Sequence, residues 1–128
     1  MAAGDFKNGG TLTGGILGQG QLGTSATPLL ATSPVPAATY ITVKRVVLCN
    51  TTGGAVTVTY GAVRSGGTLT DAATSVKTWS LGAAGSSTST LVATELEGLI
   101  LGPGDFLAGL ASTGTSITYT ASGATSAA

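Results

Sequence analysis

The sequence feature that most constrains the fold is a strict alternation of apolar and small polar residues in short runs. In "AVTVTYGAV", Val56, Val58 and Tyr60 alternate with Thr57 and Thr59. A period of two, built from β-branched and aromatic residues, predicts a strand with one buried face. No stretch of the chain shows the periodicity of an amphipathic helix, so the alternation indicates an all-β protein.

Comparable runs follow one another along the chain, separated by Gly, Pro, Ser and Thr. Roughly seven or eight short strands at ten-residue spacing predict an antiparallel β-sandwich that is jelly-roll-like. The 128 residues suit one such domain. We divide the chain into an extended Gly/Thr/Pro-rich N-terminal arm (1–36), a β-sandwich domain (37–122) and a flexible tail (123–128).

The predicted arm contains two short apolar pairs, Ile16-Leu17 and Leu29-Leu30, among residues that disfavour a helix. We expect one or two strands within it, around 17–22 and 27–32. The arm would lie either along a neighbouring copy or along its own domain. These apolar pairs are therefore candidate interface residues.

The stretch "YITVKRVVLCNTTGGAVTVTYGAV" predicts two strands joined by a tight turn at "NTTGG". Its first strand is apolar on both parities, which is typical of a central strand covered on both faces. Lys44 and Arg45 interrupt it and predict a bulge or an exposed patch. Asn50 also begins a glycosylation sequon, but the turn is the favoured interpretation.

Two later segments carry specific expectations. In "SVKTWSLGA", Lys77, Trp79 and Leu81 share one face of a strand, and Trp79 is a candidate exposed contact. In "GLILGPGDFLAGLAS", Pro103 and Gly104 predict a type II turn between two strands. Asp105 is expected to hydrogen-bond its own turn.

Charge is scarce. Charged residues make up 8% of the chain, five basic and five acidic, and histidine is absent. Ordinary soluble domains carry about 25% charged residues. A neutral chain of this kind predicts constitutive burial against copies or partners. It lacks the basic stripe of a nucleic-acid surface and any apolar run that would span a membrane. Its first residues lack the layout of a signal peptide.

The sequence offers little for catalysis. Without histidine there is no serine–histidine triad, no usual zinc site and no imidazole base, and the single Cys49 excludes an internal disulfide. Glu95 and Glu97 would share a face of a strand, as a glycosidase pair or half of a calcium site would. Solvated carboxylates at a strand end are the favoured interpretation. We expect no enzyme activity, no cofactor and no metal.

The aromatic residues leave one further function open. Trp79 with Tyr40, Tyr60 or Tyr119 would form a stacking platform for a sugar. The competing interpretation is that Tyr60 and Tyr119 are core or interface anchors with the hydroxyl at the edge.

Three stretches, read together, resemble a known group of proteins: "GQGQLGTSATPLLATSP", "ITVKRVVLCNTTGGAVTVTYGAVRSGGT" and "LEGLILGPGDFLAGLASTGTSITYTASG". Their motifs are, in order, a GQGQL start, a VK-x-x-x-LCNT strand, a VTV strand that ends in an SGGT loop, and a GD hairpin. With these motifs in this order, the sequence resembles small all-β proteins of tailed bacteriophages. The resemblance covers about residues 17–122. It implies a virion structural component, either a minor tail protein or a capsid decoration protein. No catalytic residues are implied.

The resulting expectation is a non-enzymatic structural subunit of a tailed-phage virion, assembled in the cytoplasm of the bacterial host. Its partners would be copies of itself, with a trimer preferred, and other virion proteins such as major capsid or tail proteins. The alternative is a carbohydrate- or receptor-binding module of a tail fibre or tail tip, which would bind a host surface glycan. The candidate interface residues are Ile16, Leu17, Leu29, Leu30, Lys44, Arg45 and Trp79.

Overall fold

The computed structural model describes residues 5–6, 10–69 and 76–127, with side chains from residue 14 onward. Within these residues the chain forms β-strands and one 3₁₀ turn (Thr94–Leu96), and no α-helix. The strands are β1 (Asp5–Phe6), β2 (Gly10–Gln21), β3 (Thr27–Pro28), β4 (Thr39–Asn50), β5 (Val56–Val63), β6 (Val76–Leu81), β7 (Thr90–Val92), β8 (Ile100–Leu101), β9 (Phe106–Ala111) and β10 (Ile117–Ala127).

The strands form two antiparallel sheets. Sheet I has six strands in the order β1-β2-β10-β4-β7, with β8 also paired to β4. Sheet II has four strands in the order β3-β9-β5-β6. One face of each sheet contributes to a common core, so the predicted all-β sandwich is confirmed. In this strand order β2 lies beside β10 in one sheet and β3 lies beside β9 in the other.

The described residues of the predicted arm lie along their own domain, one of the two arrangements expected for them, but both the arm and the predicted tail contribute strands to the sandwich. Residues 10–21 form β2 and pair along β10, so this part of the predicted arm is a strand of its own domain. β10 continues through Ala127 and is paired with both β2 and β4 beyond residue 122, where the tail is expected. Residues 1–4, 7–9 and 128 lie outside the described residues.

β4 contains the β-bulge that the Lys44-Arg45 pair predicts. Ser122 of β10 lies opposite Arg45, and the next residue, Gly123, lies opposite Val43. Lys44 is therefore an extra residue in β4 without a partner in β10. An extra residue of this kind bends a strand and reverses which residues face the core.

The bulge explains why β4 is apolar on both parities. Ile41 and Val43 precede it, Val46 and Leu48 follow it, and all four are buried in the same core. Without the bulge, one of the two pairs would face outward. β4 is central in sheet I, as predicted, but the expectation that both its faces are covered is wrong, since Lys44 and Arg45 are exposed.

The connection from β4 to β5 is not the predicted hairpin, because the two strands belong to different sheets. Asn50 holds this crossover in place and is buried. Its Nδ2 lies 2.8 Å from the carbonyl oxygen of Gly54 and 2.9 Å from that of Gly82, just after β6. Its Oδ1 accepts hydrogen bonds from the backbone N–H and the hydroxyl of Thr52. The side chain thus connects the end of a sheet I strand to sheet II.

The turn predicted at Gly102–Asp105 is confirmed. The backbone N–H of Asp105 donates to the carbonyl oxygen of Gly102 at 3.1 Å, and Gly104 has a φ of 87°, which a type II turn requires. The Asp105 carboxylate accepts a hydrogen bond from the Gly102 N–H, as expected for a residue that fixes its own turn. The flanking strands again lie in different sheets, with β8 in sheet I and β9 in sheet II.

The main core lies between the sheets and is composed of aliphatic side chains with Tyr60 and Tyr119. A second, smaller cluster covers the outer face of sheet II, where Val63 and Ala108 pack with Leu69 from the loop after β5. Both faces of sheet II are therefore covered in part by the chain itself. The outer face of sheet I has no comparable cluster among the described residues.

The bulge can be tested by deleting Lys44. The deletion would move Thr39–Val43 by one position and turn Ile41 and Val43 out of the core. Each fully buried aliphatic side chain contributes about 1.5–3 kcal/mol, so a loss of about 3–6 kcal/mol in the free energy of unfolding is expected. The measurement is urea-induced unfolding.

The control is Lys44→Ala, which keeps the backbone register. It should change the free energy of unfolding by less than about 0.5 kcal/mol, as exposed substitutions usually do. Equal stability of the deletion and the substitution would contradict the role given to the bulge.

Candidate functional site

A cleft of about 450 Å³ lies between the inner face of sheet II and the segment that follows β7. Tyr60 and Lys77, which are opposite each other on β5 and β6, line one side. Glu95, Leu96 and Leu99 line the other. We call this site the inter-sheet cleft. Its volume is within the range of about 300–1,000 Å³ that is typical of small-ligand sites.

Tyr60 is at the centre of a hydrogen-bonded chain beside the cleft. Its hydroxyl donates to Oε1 of Glu95 at 2.6 Å and accepts from Nε1 of Trp79 at 2.9 Å. These hydrogen bonds join β5, the neighbouring edge strand β6 and the 3₁₀ turn at Thr94–Leu96. It fixes the orientation of the Trp79 ring, which is nevertheless 42% exposed.

The surroundings of these hydrogen-bonded side chains favour a neutral Tyr60 and an ionised Glu95. Burial, and then the hydrogen bond to Glu95, raise the pKa of Tyr60 well above its ordinary value. The same hydrogen bond lowers the pKa of Glu95, and the positive charge of Lys77 contributes further. Glu95 is therefore ionised at neutral pH, and the basic side chains of Lys77 and Arg64 are among the described residues that line the cleft with it.

The expectation that Glu95 and Glu97 share one face of a strand is wrong. Glu95 lies in the 3₁₀ turn and Glu97 directly after it, where successive residues are rotated by about a third of a turn. Glu95 contacts Tyr60 in sheet II, whereas Oε2 of Glu97 lies 3.9 Å from Nε of Arg45 on sheet I. Buried Leu96 separates the two carboxylates, so they do not form a pair.

The outer face of sheet I carries the exposed apolar side chains of a second candidate site. Ile16 is opposite Ser122, which in turn is opposite Arg45. Ile100 is opposite Thr42, and Tyr40 has the same parity as Thr42. Ile16 and Ile100 are 64% and 68% exposed. We call this surface, with Ile16, Tyr40, Ile100 and Arg45, the contact face.

The remaining candidate interface residues are placed differently. Leu29 and Leu30 are buried in the core of their own chain, so their selection as interface residues is wrong. The loop between β3 and β4 turns both side chains inward. Leu17 packs partly against the same core, while Lys44 is exposed at the bulge.

Only one of the tyrosines considered for a sugar platform lies beside Trp79, namely Tyr60. The hydroxyl of Tyr119 donates to the carbonyl oxygen of Pro28 at 3.0 Å and anchors β10 to β3. Tyr40 lies on the contact face. The predicted placement of Lys77, Trp79 and Leu81 on one face of β6 agrees with their pairing to Tyr60, Val58 and Val56.

The described part of the chain holds no group of three or more His, Cys, Asp or Glu side chains arranged to bind a metal ion. Within the same residues, no helix has the length and apolar character needed to cross a membrane.

Sequence reasoning missed the link from Tyr60 to Glu95 and the contribution of Arg64 to the cleft. The alternation in β5 and β6 already places Tyr60 and Trp79 on buried-facing positions, which is a usable signal. The contact with Glu95 joins residues 35 positions apart in different sheets, and no local pattern reports it.

The chain was compared with protein-family models, curated proteins and solved structures, and none of them matches it.

The hydrogen bond from Tyr60 can be tested through the pKa of Glu95. Replacing Tyr60 by Phe removes the donor, so the pKa of Glu95 should rise towards its ordinary value. The chain has two glutamates, Glu95 and Glu97, so ¹³C labelling of glutamate gives two carboxyl resonances to titrate by NMR. The Glu97 resonance is the internal reference, and Tyr40→Phe is the matched control. An unchanged Glu95 titration in Tyr60→Phe would contradict the assigned bond.

The raised pKa of Tyr60 predicts a loss of stability at high pH. Above about pH 10 the unfolded chain releases the Tyr60 proton while the folded chain retains it, so the free energy of unfolding falls as pH rises. This single group contributes a slope of at most about 1.4 kcal/mol per pH unit. Tyr60→Phe should show a shallower slope than the wild type in urea unfolding between about pH 9 and 11.5. Identical slopes would contradict this prediction.

Proposed function

We propose that the chain is a non-enzymatic structural subunit of a tailed-bacteriophage virion, which acts by self-assembly and by attachment to the particle. Its partners are copies of itself, with a trimer preferred, and capsid or tail proteins. Capsid decoration and a minor tail role both fit this function. The observation that carries the proposal is the contact face, which exposes large apolar side chains in a chain with few charges.

The contact face supports assembly because it exposes large apolar side chains and carries little charge. Ile16, Tyr40 and Ile100 are on one side of the sandwich rather than scattered. Arg45 is charged, but its ion pair with Glu97 is partly exposed and therefore weak. A face with so little charge meets a second copy without strong repulsion, and burial of the isoleucines stabilises the contact.

The motif order and the strand order support the virion context. The three stretches that resemble tailed-phage proteins supply all of β3, β5, β8 and β9, most of β4 and β10, and the end of β2. Jelly-roll-like sandwiches occur in viral capsid proteins as well as in lectins and cupins, so the fold alone supports this role only by analogy.

Self-association of the purified chain tests this proposal. Light scattering should give a mass that is a multiple of the 12.2 kDa chain. Ile16→Glu and Ile100→Glu place a charge in the contact, and each should raise the dissociation constant by about tenfold or more. The matched control is Val76→Glu on β6, an exposed apolar position outside the contact face, which should keep the wild-type mass.

A wild-type chain that stays a dispersed monomer at high concentration would contradict assembly through this face. An oligomer that all three variants leave intact would place the contact elsewhere.

A further inference from the structure

The inter-sheet cleft combines three elements that the proposed assembly role does not use. They are a carboxylate acceptor and two cations in its lining, and a fixed aromatic ring beside it that is hydrogen-bonded to Tyr60. We propose that the inter-sheet cleft binds a saccharide that carries a carboxylate group, such as a uronic or sialic acid. This proposal does not depend on self-association, because the cleft and the contact face are formed by different residues.

The aromatic element is Trp79. Its inward-facing neighbour on β6 is Lys77, two residues away and so about 7 Å along the strand. Nε1 donates to the Tyr60 hydroxyl, which holds the ring edge in place, and the ring is 42% exposed. A ring held in this way offers a flat apolar surface next to Tyr60, beside the cleft, and ligand binding would cost the ring little conformational entropy. The C–H face of a sugar ring fits such a surface.

The charged elements select the polar groups of the ligand. The ion pair found among the described residues is Arg45–Glu97, so neither Arg64 nor Lys77 has a carboxylate within 4.0 Å there. Both cations line the cleft. Among the described residues that line the cleft they outnumber the carboxylate of Glu95, and so favour a ligand with a negative charge. A guanidinium and an ammonium group together suit a carboxylate.

Glu95 would make the cleft prefer an acidic saccharide to a simple anion. Its Oε1 accepts a hydrogen bond from Tyr60, and a carboxylate has further lone pairs for ligand hydroxyls. An acidic peptide would bring carboxylates for the two cations but few hydroxyl donors for Glu95. A uronic or sialic acid supplies both the hydroxyls for Glu95 and the carboxylate for Arg64 and Lys77. Leu96 and Leu99 complete the wall against which an apolar sugar face packs.

The chain has one tryptophan, so its fluorescence reports on this site without a label. The probes are sialyllactose and digalacturonate, with lactose as the neutral control and a tetraglutamate peptide as the acidic one. At least one acidic saccharide should change the Trp79 emission in a saturable way. Its dissociation constant should be at least about tenfold lower than that of lactose or of the peptide.

Variants then assign the binding to the cleft. Lys77→Ala and Arg64→Ala should each raise the dissociation constant of the acidic saccharide by about fivefold or more. Arg45→Ala, which removes an arginine from the contact face, is the matched control and should bind like the wild type. For Trp79→Phe, saturation-transfer NMR of the ligand replaces fluorescence and should show weaker binding.

Each other outcome overturns the proposal. No saturable response to either acidic saccharide removes it, and equal binding of lactose removes the acidic preference. Tighter binding of the peptide would identify a peptide site instead. Light scattering is measured separately, so a failure here is distinguishable from a failure of assembly.

Discussion

The extra residue in β4 is the constraint on which much of the sandwich depends. Because Lys44 has no partner in β10, the apolar residues before and after it all face the core. Along the edge of β4 that faces away from β10, β7 and β8 pair with it, and no described strand pairs with the bulged segment between them. The N–H of Ala93 donates to the carbonyl oxygen of Val46 and the N–H of Gly98 donates to that of Val43, and the 3₁₀ turn (Thr94–Leu96) lies between them. That turn brings Glu95 to Tyr60, so the bulge and the inter-sheet cleft are parts of one local arrangement.

Much of this fold is predictable from sequence because it depends on local signals. A period of two identifies β5 and β6 and the faces of their residues. A basic pair inside an apolar strand indicates the bulge at Lys44. Pro103 followed by Gly104 defines a turn through fixed and positive φ values. Each of these features is determined by residues within a few positions of one another.

The features that sequence does not predict depend on which strands pair. "NTTGG" is a good hairpin turn, yet Asn50 instead bridges to β6 and the chain crosses between sheets. Leu29 and Leu30 form an apolar pair in a polar segment, which suggests an interface. Their burial in the core depends on the path of the loop after β3, which the sequence does not reveal. The distant contact of Glu95 with Tyr60 belongs to the same class. Local propensity is compatible with several pairings, and burial of the whole core decides among them.

The central functional proposal is that this chain is part of a virion, and a density map of particles purified from cells that produce the chain tests it most directly. The account predicts repeated copies of this sandwich on the capsid or tail. The face with Ile16 and Ile100 should be buried against a neighbouring protein, and the cleft beside Trp79 should be open to solvent. Purified particles that lack the chain, or that hold it with that face fully solvated, would contradict the account.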